Sequence, residues 1–213
     1  MKKFLVVAML FCAFVVAASA QSEFIRETEN YKMGIGPILG YKMGVNAADT
    51  QDGVKNGVGA ATMPDFGAQF YMPLDPENKM GLIIDAVYAN YPYILKYGDV
   101  ELSDNFNYFG IGANFFLSGF TVGLNVGLPM GGTRGTPDGD KDIQSASLNT
   151  MFEFRIGGNF TLNESNTGRL ILFINLGYQI NGQYSDDLNL GTYNTHPASI
   201  QLGLGYLLNL GGE

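Results

Sequence analysis

The sequence has very few cysteines and histidines, the residues that most often act as nucleophiles, general bases or metal ligands. Its 213 residues include one cysteine, Cys12, and one histidine, His196. Cys12 lies in an N-terminal segment that we predict is removed, so we expect neither disulfides nor thiol chemistry in the mature chain. Nucleophilic attack on a lipid most simply needs a histidine, a serine and a carboxylate that converge. His196 and Ser199 are three positions apart and point to opposite faces of a strand, so the sequence predicts no enzyme.

Basic residues are also scarce. The whole chain has 12 lysines and arginines against 20 aspartates and glutamates. Without Lys2 and Lys3, which lie in the segment expected to be removed, the net charge is about −10. The phosphates of nucleic acids would repel such a chain. We therefore predict no nucleic-acid partner.

The only long apolar run lies within the first 20 residues. A basic pair is followed by apolar residues at 4–16 and by Ala18, Ser19 and Ala20. This order is typical of a secretory signal peptide that is cleaved after Ala20. The alternative, a retained transmembrane helix, needs a longer run. We predict a signal peptide over 1–20, a lead-in over 21–31 and one domain over 32–213.

Hydropathy alternates residue by residue along the closing segment, 198–210. Large apolar side chains occupy one face of an extended strand, at Ile200, Leu202, Leu204, Tyr206, Leu208 and Leu210. The opposite face holds mostly glycine, glutamine and asparagine, with almost none of the lysine and glutamate of a water-facing surface. A strand that separates lipid from a narrow polar interior has this composition.

The same alternation recurs in seven earlier segments. They cover residues 33–45, 58–72, 80–88, 105–117, 120–128, 146–156 and 170–178. Short turns at 75–78, 118–119 and 163–168 alternate with long loops at 47–57, 90–104, 131–144 and 181–196. Strands of about ten residues can cross a membrane when tilted. The predicted fold class is all-β: a transmembrane, antiparallel, up-and-down β-barrel of about eight strands, with both chain ends on the short-turn side.

Two prolines interrupt this pattern in the first two strands. Pro37 and Pro64 cannot donate a backbone hydrogen bond, and a closed barrel has no free edge to absorb that loss. We expect β-bulges at both prolines, or strands shorter than the alternation indicates.

Charged residues on the predicted strands fall on the inward face. They are Lys42, Asp65, Asp85, Glu153, Arg155 and Arg169. Glu153 and Arg155 are same-face neighbours on one strand, and charges of both signs in a narrow lumen are expected to pair. A one-residue slip in register would turn these charges into lipid. The sequence predicts that these six residues form a lumen polar network, closed to all but water or small ions.

Acidic residues dominate the predicted long loops. They are Asp49, Asp52, Asp99, Glu101, Asp104, Asp138, Asp140, Asp142, Asp186 and Asp187. Asp138, Asp140 and Asp142 have the spacing of the first three ligands of a calcium loop, but Ile143 replaces the required glycine and Asn149 the usual glutamate. Three Gly-X-Gly triplets lack the full nucleotide-binding spacing. We therefore predict no metal, no cofactor, and loops that face outward and bind divalent cations only weakly.

With its signal peptide, alternating strands and long loops, the chain resembles the small eight-stranded outer-membrane barrels, the OmpA-barrel and OmpX-like group. The resemblance implies the outer membrane of a Gram-negative cell as the location and a periplasmic position for 21–31. It also implies outer-membrane lipid and the barrel assembly machinery as partners, and a monomer. Such proteins usually end in an aromatic residue, whereas this chain ends Leu210-Gly211-Gly212-Glu213 and Tyr206 is its last aromatic.

Three functions are open at this point. The first is a non-enzymatic barrel with a plugged polar lumen and acidic extracellular loops, in a structural or surface-interaction role. The second is a narrow porin-like channel for small solutes or ions, which conductance would distinguish. The third is a secreted lipocalin-like carrier, which would keep its apolar face inside and stay soluble without detergent. The sequence names no extracellular partner.

Overall fold

The computed structural model describes residues 32–185 and 193–210. The predicted signal peptide over 1–20, the lead-in over 21–31, and Asp186 and Asp187 lie outside the described residues. The strands of the described part are β1 (Gly34–Asn46), β2 (Val54–Ala60), β3 (Asp65–Asp75), β4 (Met80–Tyr97), β5 (Val100–Leu117), β6 (Phe120–Thr136), β7 (Gly139–Ile143), β8 (Met151–Glu164), β9 (Gly168–Gln179) and β10 (Pro197–Asn209). In the same residues no helix has the length and apolar character needed to cross a membrane.

The strands form one closed antiparallel sheet. β1 pairs with β10 along most of its length, so the first and last strands close the ring. β2 and β3 follow one another in the single position between β1 and β4, and β7 extends the sheet only beside β6. Within the described chain the ring therefore has eight positions, each antiparallel to the next. This confirms the predicted all-β, up-and-down barrel of about eight strands.

Side chains alternate between the two surfaces of the sheet as predicted. In β10, Leu202 and Leu204 are exposed on the outside, while Gln201 and Gly203 are buried inside. A side chain at Gly203 would collide with the ring of Phe173 on β9. Small inward residues thus leave room in a narrow barrel for a few large ones.

Two of the predicted loops are strands instead. Residues 90–104 belong to β4 and β5, which pair from Met80↔Leu117 to Tyr97↔Val100. Most of 131–144 forms a hairpin between β6 and β7. The two loops were predicted because alternating outward apolar residues are lacking there. That prediction was wrong because a strand needs outward apolar residues only where it faces lipid. β8 also begins later than predicted, at Met151, because residues Ser145–Ser147 form a short 3-10 helix.

The two prolines affect the sheet differently. At Pro37 the register with β3 continues unbroken, and pairing with β10 skips residues 36 and 37 and resumes in the same register. The bulge expected at Pro37 is therefore wrong, because the missing donor interrupts the ladder on one side only. At Pro64 the strand does break: residues 61–64 lie opposite only Tyr41 and Lys42, between β2 and β3. The expected irregularity at Pro64 is confirmed.

The predicted short turns are present at one end of the barrel. β5 and β6 are joined by Ser118 and Gly119, whose φ values of 47° and 91° match a type I′ turn. The turns after β3 and β8 lie at the same end, as do the start of β1 and the end of β10. We call this the turn end and the opposite end the loop end.

Candidate functional site

The centre of the lumen holds a charged triad. Arg155 on β8 donates from Nη2 to Glu153 Oε2 at 2.9 Å and from Nη1 to the Asp85 carboxylate on β4 at 3.3 Å. Asn125 Nδ2 donates to Glu153 at 3.1 Å, and Asn114 Nδ2 donates to Asp85 at 3.0 Å. The three charged residues are at most 8% exposed. Hydrogen bonds thus connect four strands, β4, β5, β6 and β8, across the lumen.

A second ion pair lies on the side of the lumen where β2 ends and β3 begins. Lys42 Nζ lies 3.0 Å from Asp65 Oδ2, and Gln201 Nε2 donates to the same oxygen at 2.6 Å. The other oxygen, Oδ1, accepts the backbone N–H of Asn90 at 2.7 Å. Asp65 therefore accepts a hydrogen bond from a backbone N–H of β4 next to the break at Pro64. At this point the pairing of β4 changes register between β2 and β3. Lys42 also lies 3.5 Å from the centre of the Tyr91 ring.

Arg169, the sixth residue of the predicted network, lies at the turn end. It is opposite Glu164 in register, and its guanidinium lies 4.3 Å from the centre of the Tyr71 ring. Arg155 is opposite Gly177, eight residues further along β9, which is about 26 Å at 3.3 Å per residue. Arg169 instead adjoins a buried apolar cluster formed by Tyr71, Ile83, Phe116, Ile171 and Leu207.

Aromatic rings fill the lumen towards the loop end. Tyr91 packs edge-on against Tyr108 with ring centres 5.7 Å apart, and Tyr93 stacks on Phe106 at 5.5 Å. Phe106 in turn meets Tyr184 edge-on at 5.6 Å. Tyr91 joins these rings to the triad, because its hydroxyl donates to Glu153 at 3.0 Å. Sequence reasoning missed this layer, since 90–104 was interpreted as a loop.

A buried ion pair anchors the outermost part of this layer. Arg134 donates two hydrogen bonds of 2.7 Å to Asp104, which is fully buried rather than exposed in a loop as predicted. Arg134 also donates to the Tyr184 hydroxyl at 2.6 Å, and that hydroxyl donates to Asp104 at 3.3 Å. Burial, together with the negative charge of Asp104, raises the pKa of Tyr184. Tyr184 is thus held neutral between an arginine and an aspartate.

Residues 181–185 and 193–196 lie across the loop end of the barrel. The backbone N–H of Gln183 donates to Thr195 at 2.8 Å, and the carbonyl of Gln183 accepts from Asn149 at 2.9 Å. Inside, Gln183 Nε2 donates to the Tyr108 hydroxyl at 3.0 Å, and the hydroxyls of Tyr93 and Thr195 are 2.9 Å apart. We call residues 181–185 and 193–196 the cap. The cap covers the aromatic layer from outside.

The Lys42–Asp65 pair and two members of the triad, Asp85 and Arg155, border a small cavity. Its volume is about 20 Å³. It is lined by Lys42, Asp65, Asp85 and Arg155, by polar side chains that include Gln69, Asn175 and Gln201, and by apolar ones that include Ile83 and Phe173. The Gln69 Oε1 atom is buried and has no hydrogen-bond partner. A space of this size holds about one water molecule. The cavity itself is therefore too small for a sugar, nucleotide or amino acid.

Acidic side chains are exposed at the loop end. Those in the described residues are Asp49, Asp52, Asp99, Glu101, Asp138, Asp140 and Asp142. Asp140 and Asp142 lie on β7, an extended strand that does not wrap around an ion as a calcium loop does. In the described part of the chain, no group of three or more His, Cys, Asp or Glu side chains is arranged to hold a metal ion.

The outer surface carries a belt of large exposed apolar side chains. On the strands these include Ile35, Leu39, Met43, Phe66, Ile84, Phe109, Ile111, Phe115, Leu124, Val126, Leu128, Phe152, Phe154, Ile200, Leu202, Leu204 and Leu208. The outward residues of β9 are half-exposed. At the level of this belt the chain therefore places large apolar side chains outside and its charges inside, which contradicts the lipocalin-like alternative.

No protein-family model matches the chain, and no curated protein matches it. Among solved structures, Ail, the attachment invasion locus protein of Yersinia pestis, aligns with a TM-score of 0.41 and 13% identity over 83% of this chain and 97% of that chain. Neisserial surface protein A aligns with a TM-score of 0.44 and 11% identity, over 84% and 97%. The outer membrane protein OprG from Pseudomonas aeruginosa aligns with a TM-score of 0.36 and 14% identity, over 86% and 100%. Similarities this distant carry no inference about function, which must come from the chain's own residues.

Proposed function

We propose that this chain is a non-enzymatic barrel of the cell outer membrane, closed by its own side chains, in a structural or surface-interaction role. The observation that carries the proposal is the buried Asp85–Arg155–Glu153 triad, which crosses the lumen and leaves a cavity of only about 20 Å³ beside it. The aromatic layer and the cap close the loop end. The six predicted lumen residues act here as fixed structure, five in the centre and Arg169 at the turn end.

The apolar belt supports the membrane location. The 13 residues of β1 rise about 33 Å along the barrel axis, at 3.3 Å per residue and a tilt of about 40°. That is enough to cross an apolar band about 25 Å tall. A soluble monomer rarely exposes a continuous apolar patch of more than about 600 Å². An outer face of leucine, isoleucine, phenylalanine and valine around the ring is favourable only in lipid.

The exposed acidic residues support a role outside the cell. They lie at the loop end, where β4 and β5 continue to Tyr97 and Val100 beyond the apolar belt. Eighteen residues of β4 rise about 45 Å at the same tilt, so its tip stands well above a 25 Å band. A paired hairpin that projects from the membrane and carries acidic residues suits contact with a partner rather than transport. Protease cleavage at the loop end in intact cells tests this topology, and full protection would indicate the inverted one.

Planar-bilayer conductance tests the closed lumen. The mature chain, refolded from detergent and inserted singly, is expected to show no large, steady conductance. The double variant Arg155→Ala/Tyr184→Ala cuts into both the triad and the cap, so it should conduct more and thereby show that the assay detects an open lumen. Folding of both proteins is checked by their mobility on gels. Large, steady conductance from the native barrel would refute the plug and favour the porin-like channel.

A further inference from the structure

We propose that the lumen cavity binds one monovalent cation of about the size of sodium. The inference rests on the closed lumen proposed above. Its starting point is the charge of the five central residues. Asp65, Asp85 and Glu153 carry three negative charges, whereas Lys42 and Arg155 carry two positive ones, and all five are at most 8% exposed. One negative charge is left over among these five buried residues, and all of them except Glu153 line the cavity. An uncompensated buried charge is costly.

The other two arginines in the described residues, Arg169 and Arg134, are not placed to balance that charge. Arg169 lies about 26 Å along β9 from the residue opposite Arg155. It is itself opposite Glu164, whose carboxyl interacts with it. The Asp104–Arg134 pair at the loop end is already neutral as a pair. The excess therefore belongs to the centre of the lumen.

The cavity offers the ligands that a hard cation prefers. Carboxylate oxygens come from Asp65 and Asp85, and amide oxygens are available from side chains such as Gln69 and Asn175. Hard cations are bound by oxygen atoms of these kinds. Gln69 is directly opposite Asp85 on the adjacent strand, and its buried Oε1 has no other partner. An unused acceptor beside an excess negative charge marks a place for a positive charge.

The size of the cavity and the net charge of the five central residues select the ion. A volume of about 20 Å³ admits one water-sized particle, so choline and other large organic cations are excluded. A divalent ion would turn an excess of one negative charge into an excess of one positive charge. A small monovalent ion balances the centre.

The experiment compares the unfolding of the refolded barrel in vesicles with sodium chloride or choline chloride, at pH 8 and constant ionic strength. Sodium is expected to raise the urea midpoint in a saturable way, because a ligand that binds only the folded state stabilises it. The variant Asp85→Asn removes the excess charge and should lose this sodium response. The matched control Glu101→Gln, at the exposed hairpin tip, should keep it. If Asp85→Asn does not fold, Gln69→Leu provides the second test, since it removes the unpaired oxygen and should weaken the response.

Two results would overturn the cation site. One is a urea midpoint that is identical in sodium and in choline at every concentration. If that midpoint rises only when the pH is lowered, the balancing charge is a proton and not a metal ion. The other is an Asp85→Asn barrel that responds to sodium as the native one does. A non-conducting barrel with a sodium-independent midpoint refutes only the cation site, whereas a conducting barrel refutes the plug.

Discussion

Replacing Arg155 with methionine should destabilise the barrel strongly. The substitution keeps most of the side-chain volume but leaves the carboxylates of Glu153 and Asp85, now 2.9 and 3.3 Å from an arginine nitrogen, without a cation. Breaking a buried ion pair by removing one partner costs about 3 to 5 kcal/mol. That is a large share of a total stability of about 5 to 15 kcal/mol. Urea unfolding in lipid vesicles, followed by the gel shift between folded and unfolded chains, measures the loss.

The matched control is Lys96→Met, which breaks the exposed Lys96–Glu101 pair of the hairpin tip. Both side chains there are about half exposed, at 48% and 49%, and such pairs contribute less than about 1 kcal/mol. Replacing Asp85, Glu153 and Arg155 together with apolar residues should cost less than Arg155→Met alone, because no charge is then stranded. If Arg155→Met loses no more than Lys96→Met, the triad does not stabilise the barrel and the reasoning is refuted.

Three further predictions concern the outer surface and the cap. The folded chain should run faster on SDS gels unheated than boiled, because a closed barrel resists detergent; equal mobility together with solubility in plain buffer would contradict the membrane barrel. Leu124→Arg, in the middle of the belt, should cost about 2 to 4 kcal/mol and Leu74→Arg, beside a turn, about 0 to 1 kcal/mol; equal losses in vesicles would argue against lipid at the belt. Since the folded barrel keeps Tyr184 neutral and the unfolded chain ionises near pH 10, stability should fall above that pH. The fall should be smaller in Tyr184→Phe than in the exposed control Tyr193→Phe, and equal slopes would show that Tyr184 is not coupled to folding.

The alternation of hydropathy predicted the barrel because lipid on one side leaves a strand little choice of outward residue. The same alternation put Lys42, Asp65, Asp85, Glu153 and Arg155 on the inward face, where they are buried. It did not reveal which charge meets which: Arg155 contacts Asp85, 70 positions away in sequence. That contact depends on the curvature and register of the whole ring, which no local pattern contains.

The aromatic layer was missed for a different physical reason. Beyond Tyr88 the alternation of β4 is lost: the outward residues Asn90 and Pro92 are buried, and the inner face carries Tyr91, Tyr93 and Leu95. Apolar residues thus occur on both faces of this part of β4, so a search for alternating outward apolar residues ends before it. The parity of Asp85 continues without a break through Tyr91 and Tyr93, so a count from the inward aspartate could have identified them.

The length of the β4–β5 hairpin has a consequence for the order of folding. Its two strands pair continuously around Gly98 and Asp99, so no contact between them spans more than Met80 to Leu117. Closure of the ring instead joins residues as distant as Gly34 and Asn209. Because the entropy lost on closing a loop grows with its length, contacts within the hairpin should form early and those between β1 and β10 late. Until then both closing strands present unpaired backbone groups, so aggregation should compete with the final step and not with the growth of the hairpin.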